Sequence, residues 1–451
     1  MSLPWPRQPG LPLLRNAYAL MASSALTAVL GVGYWLLAAR RYPAEDVGRG
    51  SAAISAMTLL STVAVLNVPG TLTRYLPRAG RRAGKLVTSA YLLSGTIAGL
   101  ASLVFLLGVG IWAPGFGFLR SDAATAAWFC AATVAWCLFT LQDCVLTGLR
   151  QAVWVPVENV AFGAAKLGLL LAFATAAPGA GVFASWTIPM AAMLVPTNLL
   201  IFRALIPRSD RAGPPGDPPP IRYREVGAFL AGDSAGTMAG FATVAFLPVL
   251  VVSRFGPAVN AYFYVAWTIS VVLNLLAVNM AMSLTVEGSR NAAELATHLR
   301  LAVQRLSRLL LPAVACGLVL APRVLAMFGA PYAEAGTALL RLMLLAAVPK
   351  AVLELFLGAL RAQGRPRPIA LAQGVQAALF LALALVLLGR AGIAGIGWAY
   401  LLSNAVVAVA LLPRLAALLR ARPGPDGRRG GPEPGAVAGR VAPPSGGVGA
   451  R

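Results

Sequence analysis

Long apolar runs recur along almost the whole chain, and they constrain the fold more than any other feature. Each is about 20 residues long, the length an α-helix needs to cross the hydrocarbon core of a bilayer. Only 12% of the residues are charged, against about 25% in a typical soluble protein. We therefore predict an all-α, polytopic membrane protein whose spans are residues 16–39, 50–73, 87–113, 123–148, 157–177, 183–202, 225–252, 259–286, 302–321, 337–360, 368–388 and 394–419.

Basic residues are unevenly distributed between the segments that join these spans. With the N-terminus in the cytoplasm, 27 of the 37 Lys and Arg residues fall on the cytoplasmic side and seven on the outer side. The positive-inside rule then predicts that both termini are cytoplasmic, and it accounts for the net charge of +22 without a nucleic-acid partner. The Ala-, Gly- and Arg-rich composition is typical of GC-rich bacteria, so we expect a bacterial inner membrane and its lipids as the surroundings.

A Pro- and Gly-rich polar segment, residues 207–224, divides the chain into two parts with six predicted spans each. We expect residues 1–206 and 225–419 to form two six-helix bundles joined by this cytoplasmic linker, and residues 420–451 to be a disordered tail. A shift of 213 residues places segment 39–43 on segment 252–256, each directly after the first span of its half. An even number of spans per half predicts a pseudo-two-fold axis along the membrane normal.

Two short stretches resemble a known family. Residues 37–48 (LAARRYPAEDVG) and 67–77 (NVPGTLTRYLP) are similar to the polysaccharide biosynthesis, or O-antigen flippase, branch of the multidrug/oligosaccharidyl-lipid/polysaccharide (MOP) exporter superfamily. The chain departs from the family at residues 258–262, where AVNAY replaces a common Glu-x-x-Gly-Tyr.

The resemblance implies a V-shaped, MATE-like pair of six-helix bundles around a cavity that opens alternately to the two sides. It implies a lipid-linked oligosaccharide, carried on a polyprenyl diphosphate, as the substrate for cell-surface polysaccharide synthesis such as that of the lipopolysaccharide O-antigen. The substrate would move from the cytoplasmic to the outer leaflet. A glycan polymerase or glycosyltransferases are the partner proteins that this role implies.

Ionisable residues inside the spans are the first candidates for a substrate cavity, because a charge at the bilayer centre costs about 2.5–3.5 kcal/mol on insertion scales. Lys166 lies near the middle of the fifth span. Glu158, two helical turns earlier, and Asn159 lie on a similar face. Lys166 therefore either lines the cavity or forms a buried ion pair.

The tenth span carries the other charges. Lys350 and Glu354 are four residues apart and are therefore neighbours on one helix face, either as a static salt bridge or as part of a moving helix that Pro349 allows to kink. Arg341 lies nearer the outer end, where it either lines the cavity or extends its charged head to the membrane surface.

Further polar residues complete the candidate set. Gln373 and Gln376 share a face of the eleventh span and suit either sugar hydroxyls or interhelical hydrogen bonds. Asp143 and Asp233 are candidates for ion coupling, with an interfacial or helix-bonding carboxylate as the alternative. Three cysteines at seven-residue spacing in the fourth span are interpreted as small packing residues, so no metal site is expected.

Three function classes were compared. A flippase for lipid-linked oligosaccharides agrees best with lysines in the spans, because these can neutralise a diphosphate. A cation-coupled multidrug exporter of the same fold is the alternative and would need acidic residues in the cavity. A membrane-embedded glycosyltransferase or polymerase is less favoured, because the outer loops are short and carry few acids or bases. No catalytic set, cofactor motif or phosphate-binding loop occurs, so we expect a protein without catalytic residues or a cofactor.

Overall fold

A computed structural model of the chain describes residues 11–65, 68–76, 79–149, 151, 153–208, 235–290 and 294–420. The regular structure of these residues is helical. Side chains before residue 26 and from 235 to 244 lie outside the description, as do Asp233, the tail after Arg420 and most of the predicted linker. Pro207 and Arg208 are helical and continue the preceding element.

The first part of the chain contains six long helices and one short one, and each long helix matches a predicted span. They are α1 (Leu11–Arg41), α2 (Ala44–Val65), the short α3 (Val68–Tyr75), α4 (Ala83–Trp112), α5 (Ala123–Gly148), α6 (Trp154–Ala176) and α7 (Pro178–Leu200), which continues as a π-helix over Ile201–Leu205. Helix α5 begins where predicted because the Asp122 carboxylate accepts the backbone N–H of Thr125. Hydrogen bonds to this exposed carboxylate lower the pKa of Asp122.

The second part contains α8 (Ala235–Phe255), α9 (Pro257–Arg290), α10 (Leu295–Ala326), α11 (Ala330–Ala362) and α12 (Pro366–Arg420). Helix α12 is bent at Ala391 and Gly392, where Gly392 has φ 56° and ψ −146°, a conformation open to glycine. Its two arms, 366–390 and 393–420, correspond to the last two predicted spans. The prediction of about twelve membrane helices is thereby confirmed.

Eight helices of the described part are long and apolar enough to cross a membrane, with the two-armed α12 counted once. Many large apolar side chains lie on the outside of the molecule, as lipid contact requires; Ile111, Leu107 and Leu371 are more than two-thirds exposed. The chain is a multi-pass membrane protein.

The buried residues form separate cores at the two ends of the molecule. We call the end at which α1 passes into α2 the predicted outer end, and the opposite end the predicted cytoplasmic end. One core occupies the predicted outer end and takes residues from both halves of the chain, including α2 up to Met57 and α9 up to Ala266. Towards the other end each half has a core of its own. The two halves are therefore joined at the predicted outer end, and each has a core of its own towards the predicted cytoplasmic end.

The joint depends on close backbone contact between α2 and the start of α9. A Cβ atom at Gly48 would overlap the carbonyl oxygen of Pro257, so this close approach requires glycine. The fully buried Asn260 donates from Nδ2 to the Gly48 carbonyl at 3.1 Å and to the Ser51 hydroxyl at 2.9 Å. These contacts tie the first half of the chain to the second. The bounds of the two six-helix bundles stay predictions.

Candidate functional site

Lys166 lies in the middle of α6, and three aromatic rings surround its ammonium group. The distance from Nζ to the ring centroid is 3.9 Å for Trp186, 5.0 Å for Phe162 and 5.2 Å for Tyr34. Lys166 as a whole is 6% exposed. Attraction to aromatic faces stabilises a desolvated cation by about 2 kcal/mol or more, which explains how an ammonium group is tolerated at this depth. We call Tyr34, Phe162 and Trp186 the aromatic cage.

The aromatic cage has no carboxylate. Within the described residues Lys166 forms no ion pair, and Glu158 on the same helix is not its partner. Phe162 lies four residues after Glu158 and four before Lys166, so its ring stands on the same helix face between the two charges. The ammonium of Lys166 is therefore held by rings alone, and its three N–H donors remain available to an anion.

The aromatic cage adjoins the joint between the two halves. Tyr34 on α1 is fixed because its hydroxyl donates to the Val182 carbonyl at 2.8 Å and is 2.9 Å from the Ser185 hydroxyl. The next residue, Trp35, packs on Tyr264 of α9, with ring centroids 4.6 Å apart. Movement of the two halves must therefore change the surroundings of Lys166.

The second half of the chain carries a polar cluster on α11 and its neighbours. Lys350 Nζ lies 2.9 Å from Glu354 Oε1, which shows the ion pair that their spacing allowed. Tyr400 on the second arm of α12 lies near both charges. Its hydroxyl is 3.4 Å from Nδ2 of Asn274 on α9. This cluster is neutral overall, in contrast to Lys166.

Arg341 donates a hydrogen bond to the backbone of a neighbouring helix. Its guanidinium is exposed, and Nε donates to the carbonyl of Leu318 on α10 at 3.0 Å. In a regular helix that carbonyl would accept the N–H four residues later, but residue 322 is proline and has no N–H. Arg341 therefore satisfies a carbonyl that Pro322 leaves free, as a lipid-embedded backbone requires.

Two carboxylates near the predicted cytoplasmic end form a third polar group. Asp143 on α5 and Glu158 on α6 interact electrostatically, and Asn159 lies close to Asp143. Asn159 also donates to the carbonyl of Val155 on its own helix at 3.0 Å. Glu158 thus belongs with Asp143 and not with Lys166.

The remaining candidates are less informative. Gln373 and Gln376 are half-buried on the first arm of α12. No group of three or more His, Cys, Asp or Glu residues that could hold a metal ion occurs in the part of the chain that the structure describes. The cage residues Tyr34 and Trp186 were missed from the sequence, because α1, α6 and α7 meet only in the folded bundle. The four-residue spacing of Phe162 and Lys166 was the one local signal.

Comparison with solved structures identifies the fold. The chain is similar to a multidrug resistance MATE family transporter of the MOP superfamily in an inward-facing conformation, with 14% identity, a TM-score of 0.67, and 87% of this chain and 95% of that chain covered. It is similar to the lipid II flippase MurJ in an inward closed conformation, with 11% identity, a TM-score of 0.61, and 88% and 87% covered.

A third similar structure is a MOP superfamily transporter from Pyrococcus furiosus, described as having a binding pocket of reverse polarity; identity is 14%, the TM-score is 0.62, and 90% and 96% of the two chains are covered. No family model and no curated protein matches the sequence. The similarity to these three solved structures shows that the chain has the fold of the MOP superfamily transporters.

Proposed function

We propose that the protein is a flippase that moves a polyprenyl-diphosphate-linked oligosaccharide from the cytoplasmic to the outer leaflet of the bacterial inner membrane. The observation that carries this proposal is Lys166, a buried cation at mid-membrane depth with aromatic neighbours and no carboxylate partner among the described residues. A diphosphate has the opposite charge and strong acceptor oxygens, and it would form charge-assisted hydrogen bonds with the ammonium group of Lys166.

The arrangement of the two halves suits such a substrate. They are joined at the predicted outer end and have separate cores towards the predicted cytoplasmic end. A head group would enter between them from the cytoplasm and meet Lys166 just below the joint, while the lipid tail stays in the bilayer. A protein with the same fold is named as a lipid II flippase, which supports a lipid-linked substrate. A glycan polymerase or glycosyltransferases are the partner proteins proposed for this role.

A cation-coupled multidrug exporter remains the second candidate, because proteins with this fold include a multidrug transporter. The aromatic cage would suit an organic cation if it were empty, but the ammonium of Lys166 occupies it. An exporter of cations would have to expel or neutralise that charge first. A membrane-embedded glycosyltransferase or polymerase is the weakest of the three hypotheses.

The test uses two of the three lysines of the chain, Lys166 and Lys85. Lys166→Gln, Lys166→Arg and the exposed Lys85→Gln are expressed in a strain that lacks the protein, with membrane abundance measured in parallel. We expect Lys166→Gln to lower surface glycan at least tenfold and to accumulate the lipid-linked glycan on the cytoplasmic leaflet. Lys166→Arg keeps the charge with altered geometry and should be milder. Lys85→Gln should behave as the natural protein.

The alternative is tested in the same variants by efflux of a cationic dye. A natural protein that exports the dye but leaves the lipid-linked glycan unmoved would exclude the flippase. Normal glycan export by Lys166→Gln at normal abundance would exclude Lys166 as the group that binds the diphosphate.

A further inference from the structure

Helix α10 has two different faces along its first half. The side chains of one face are buried in the core shared with α11 and α12, and they are Leu295, Leu299, Ala302, Leu306 and Leu310. The opposite face is exposed and carries Leu301, Gln304, Arg305, Arg308 and Leu309. Both sets recur every few residues, mostly three or four, so they form stripes along the helix. We call the exposed set the arginine–leucine face.

The two arginines of this face have no carboxylate partner among the described residues. No ion pair joins Arg305 or Arg308 to an acidic side chain there. The acidic residues closest to them in the sequence, Glu287 and Glu294, lie against His298, with Oε2 atoms 3.2 Å and 3.5 Å from its ring nitrogens. Like charges three residues apart on a helix are neighbours and repel each other. The face therefore carries two positive charges that lack a counter-charge.

The length of α10 places these charges at the depth of the lipid headgroups. Arg308 and the exposed Arg323 bound its uncharged part, because residues 309–322 carry no charge. The two positions are 15 residues apart, which is about 22 Å at 1.5 Å per residue, whereas the hydrocarbon core of a bilayer is about 30 Å thick. Both arginines therefore start at or inside the edge of the core and must extend their charged heads outward to the headgroups.

The packing of α10 directs the arginine–leucine face towards the bilayer. Helix α10 packs on α9, α11 and α12, which all belong to the second half of the chain. On the side away from the core, Leu301 is 42% and Leu309 57% exposed, next to the two arginines. Exposed leucines on a membrane helix suit acyl chains, and guanidinium groups suit phosphate. The face therefore matches both chemical parts of a phospholipid.

We propose that the arginine–leucine face binds an anionic phospholipid of the cytoplasmic leaflet. The lipid phosphate accepts charge-assisted hydrogen bonds from Arg305 and Arg308, and the acyl chains lie along Leu301 and Leu309. A zwitterionic lipid fits less well, because its own ammonium group already neutralises its phosphate and the arginine charges remain uncompensated. Clusters of basic residues at the cytoplasmic ends of membrane helices recognise anionic headgroups in this way. The proposal goes beyond the proposed function and holds whichever substrate the protein carries.

Native mass spectrometry of the purified full-length protein in detergent tests the site, with phosphatidylglycerol as the anionic probe and phosphatidylcholine as the zwitterionic one. The natural protein should bind phosphatidylglycerol more tightly. Each arginine near an anionic headgroup contributes about a factor of five in affinity, so the double variant Arg305→Gln, Arg308→Gln should bind phosphatidylglycerol roughly 25-fold more weakly. The control Arg365→Gln, Arg367→Gln removes two exposed charges where α11 passes into α12, at the same end of the molecule, and should bind as the natural protein does.

Several outcomes would overturn the proposal. They are equal binding of the two lipids by the natural protein, unchanged phosphatidylglycerol binding in the Arg305→Gln, Arg308→Gln variant, and an equal loss in the control variant. Displacement of phosphatidylglycerol by polyprenyl diphosphate at equal concentration would also overturn it, because the face would then belong to a substrate lipid. Should the double variant fail to fold, Arg305→Lys, Arg308→Lys keeps the charge without the planar guanidinium and must bind phosphatidylglycerol more weakly; an unchanged affinity would equally refute the assigned contacts.

Discussion

Asn260 offers the sharpest test of how the two halves are joined. Its side-chain amide is fully buried and donates two hydrogen bonds from α9 to α2, to the Gly48 carbonyl and the Ser51 hydroxyl. Both bonds cross between the halves and would break if the predicted outer end opened. Asn260→Ala removes them while adding no bulk to the joint, so the substitution should favour the open form.

The size of the effect follows from burial. Leaving buried polar groups without a partner costs about 1–3 kcal/mol, and here the cost falls on the joined form, because water can reach these groups in the open form. A coupling free energy of about 1–3 kcal/mol corresponds to a shift of roughly 5- to 150-fold between the two forms. If almost all molecules of the natural protein are in the joined form, Asn260→Ala would then show a measurable population of the open form.

The assay measures distances between spin labels at Glu45 on α2 and Glu334 on α11, both exposed at the predicted outer end. The natural protein should give one short distance, and Asn260→Ala should add a longer component. The control is Asn404→Ala, because Asn404 is equally buried but donates to the carbonyl of Tyr400 on its own helix. An unchanged distribution in Asn260→Ala, or an equal change in Asn404→Ala, would refute the role of Asn260 in holding the halves together.

Two further predictions concern charges in the spans. Lys350→Met should reduce folding or export more than Lys350→Met combined with Glu354→Gln, because an isolated charge from a broken buried pair costs about 3–5 kcal/mol; a double variant no better than the single one would contradict this. Arg341→Gln should lower thermal stability in the natural protein by about 1–3 kcal/mol but far less in a Pro322→Ala background, because alanine restores the missing backbone N–H. Equal losses in both backgrounds would exclude the proposed pairing with the Leu318 carbonyl.

The helices were largely predictable because their signals are local. Helix α5 covers the predicted span 123–148, with Asp122 as its cap, and the break before the last span falls at Gly392. The predicted span 50–73 is less regular, since α2 ends at Val65 and α3 begins at Val68. Pro69 in the first turn of α3 lacks an N–H, which suits a helix start better than a helix interior.

The candidate site was only partly predictable, because its contacts join distant parts of the chain. The spacing of Lys350 and Glu354 allowed their ion pair to be proposed from the sequence. The same reasoning could not decide whether Lys166 pairs with Glu158, because the rings of Tyr34 and Trp186 that surround the ammonium group come from other helices. The role of Arg341 depends on Pro322 of another helix, and a span read alone cannot indicate such a contact.

The separation of Lys166 from Glu158 is itself open to test. The two charges lie eight residues apart on α6, about 12 Å along the axis at 1.5 Å per residue, and their side chains are long enough to approach each other across that gap. Phe162 fills it and packs against Trp136, Phe139 and Trp186. Removing this ring should let the ammonium reach the carboxylate of Glu158 and leave the aromatic cage.

Phe162→Ala should therefore abolish glycan export in the complementation assay, because the Lys166 ammonium would no longer be available to the diphosphate. Phe139→Ala, in the same apolar cluster but on α5, leaves a cavity of similar size; each truncation should cost about 3–5 kcal/mol of stability. Phe139→Ala should nevertheless keep glycan export, because Phe139 does not stand between the charges. Phe162→Leu should retain glycan export, since leucine still fills the gap. If Phe162→Ala keeps normal glycan export at normal membrane abundance, the ring does not separate the two charges, and another feature of the bundle must hold Lys166 and Glu158 apart.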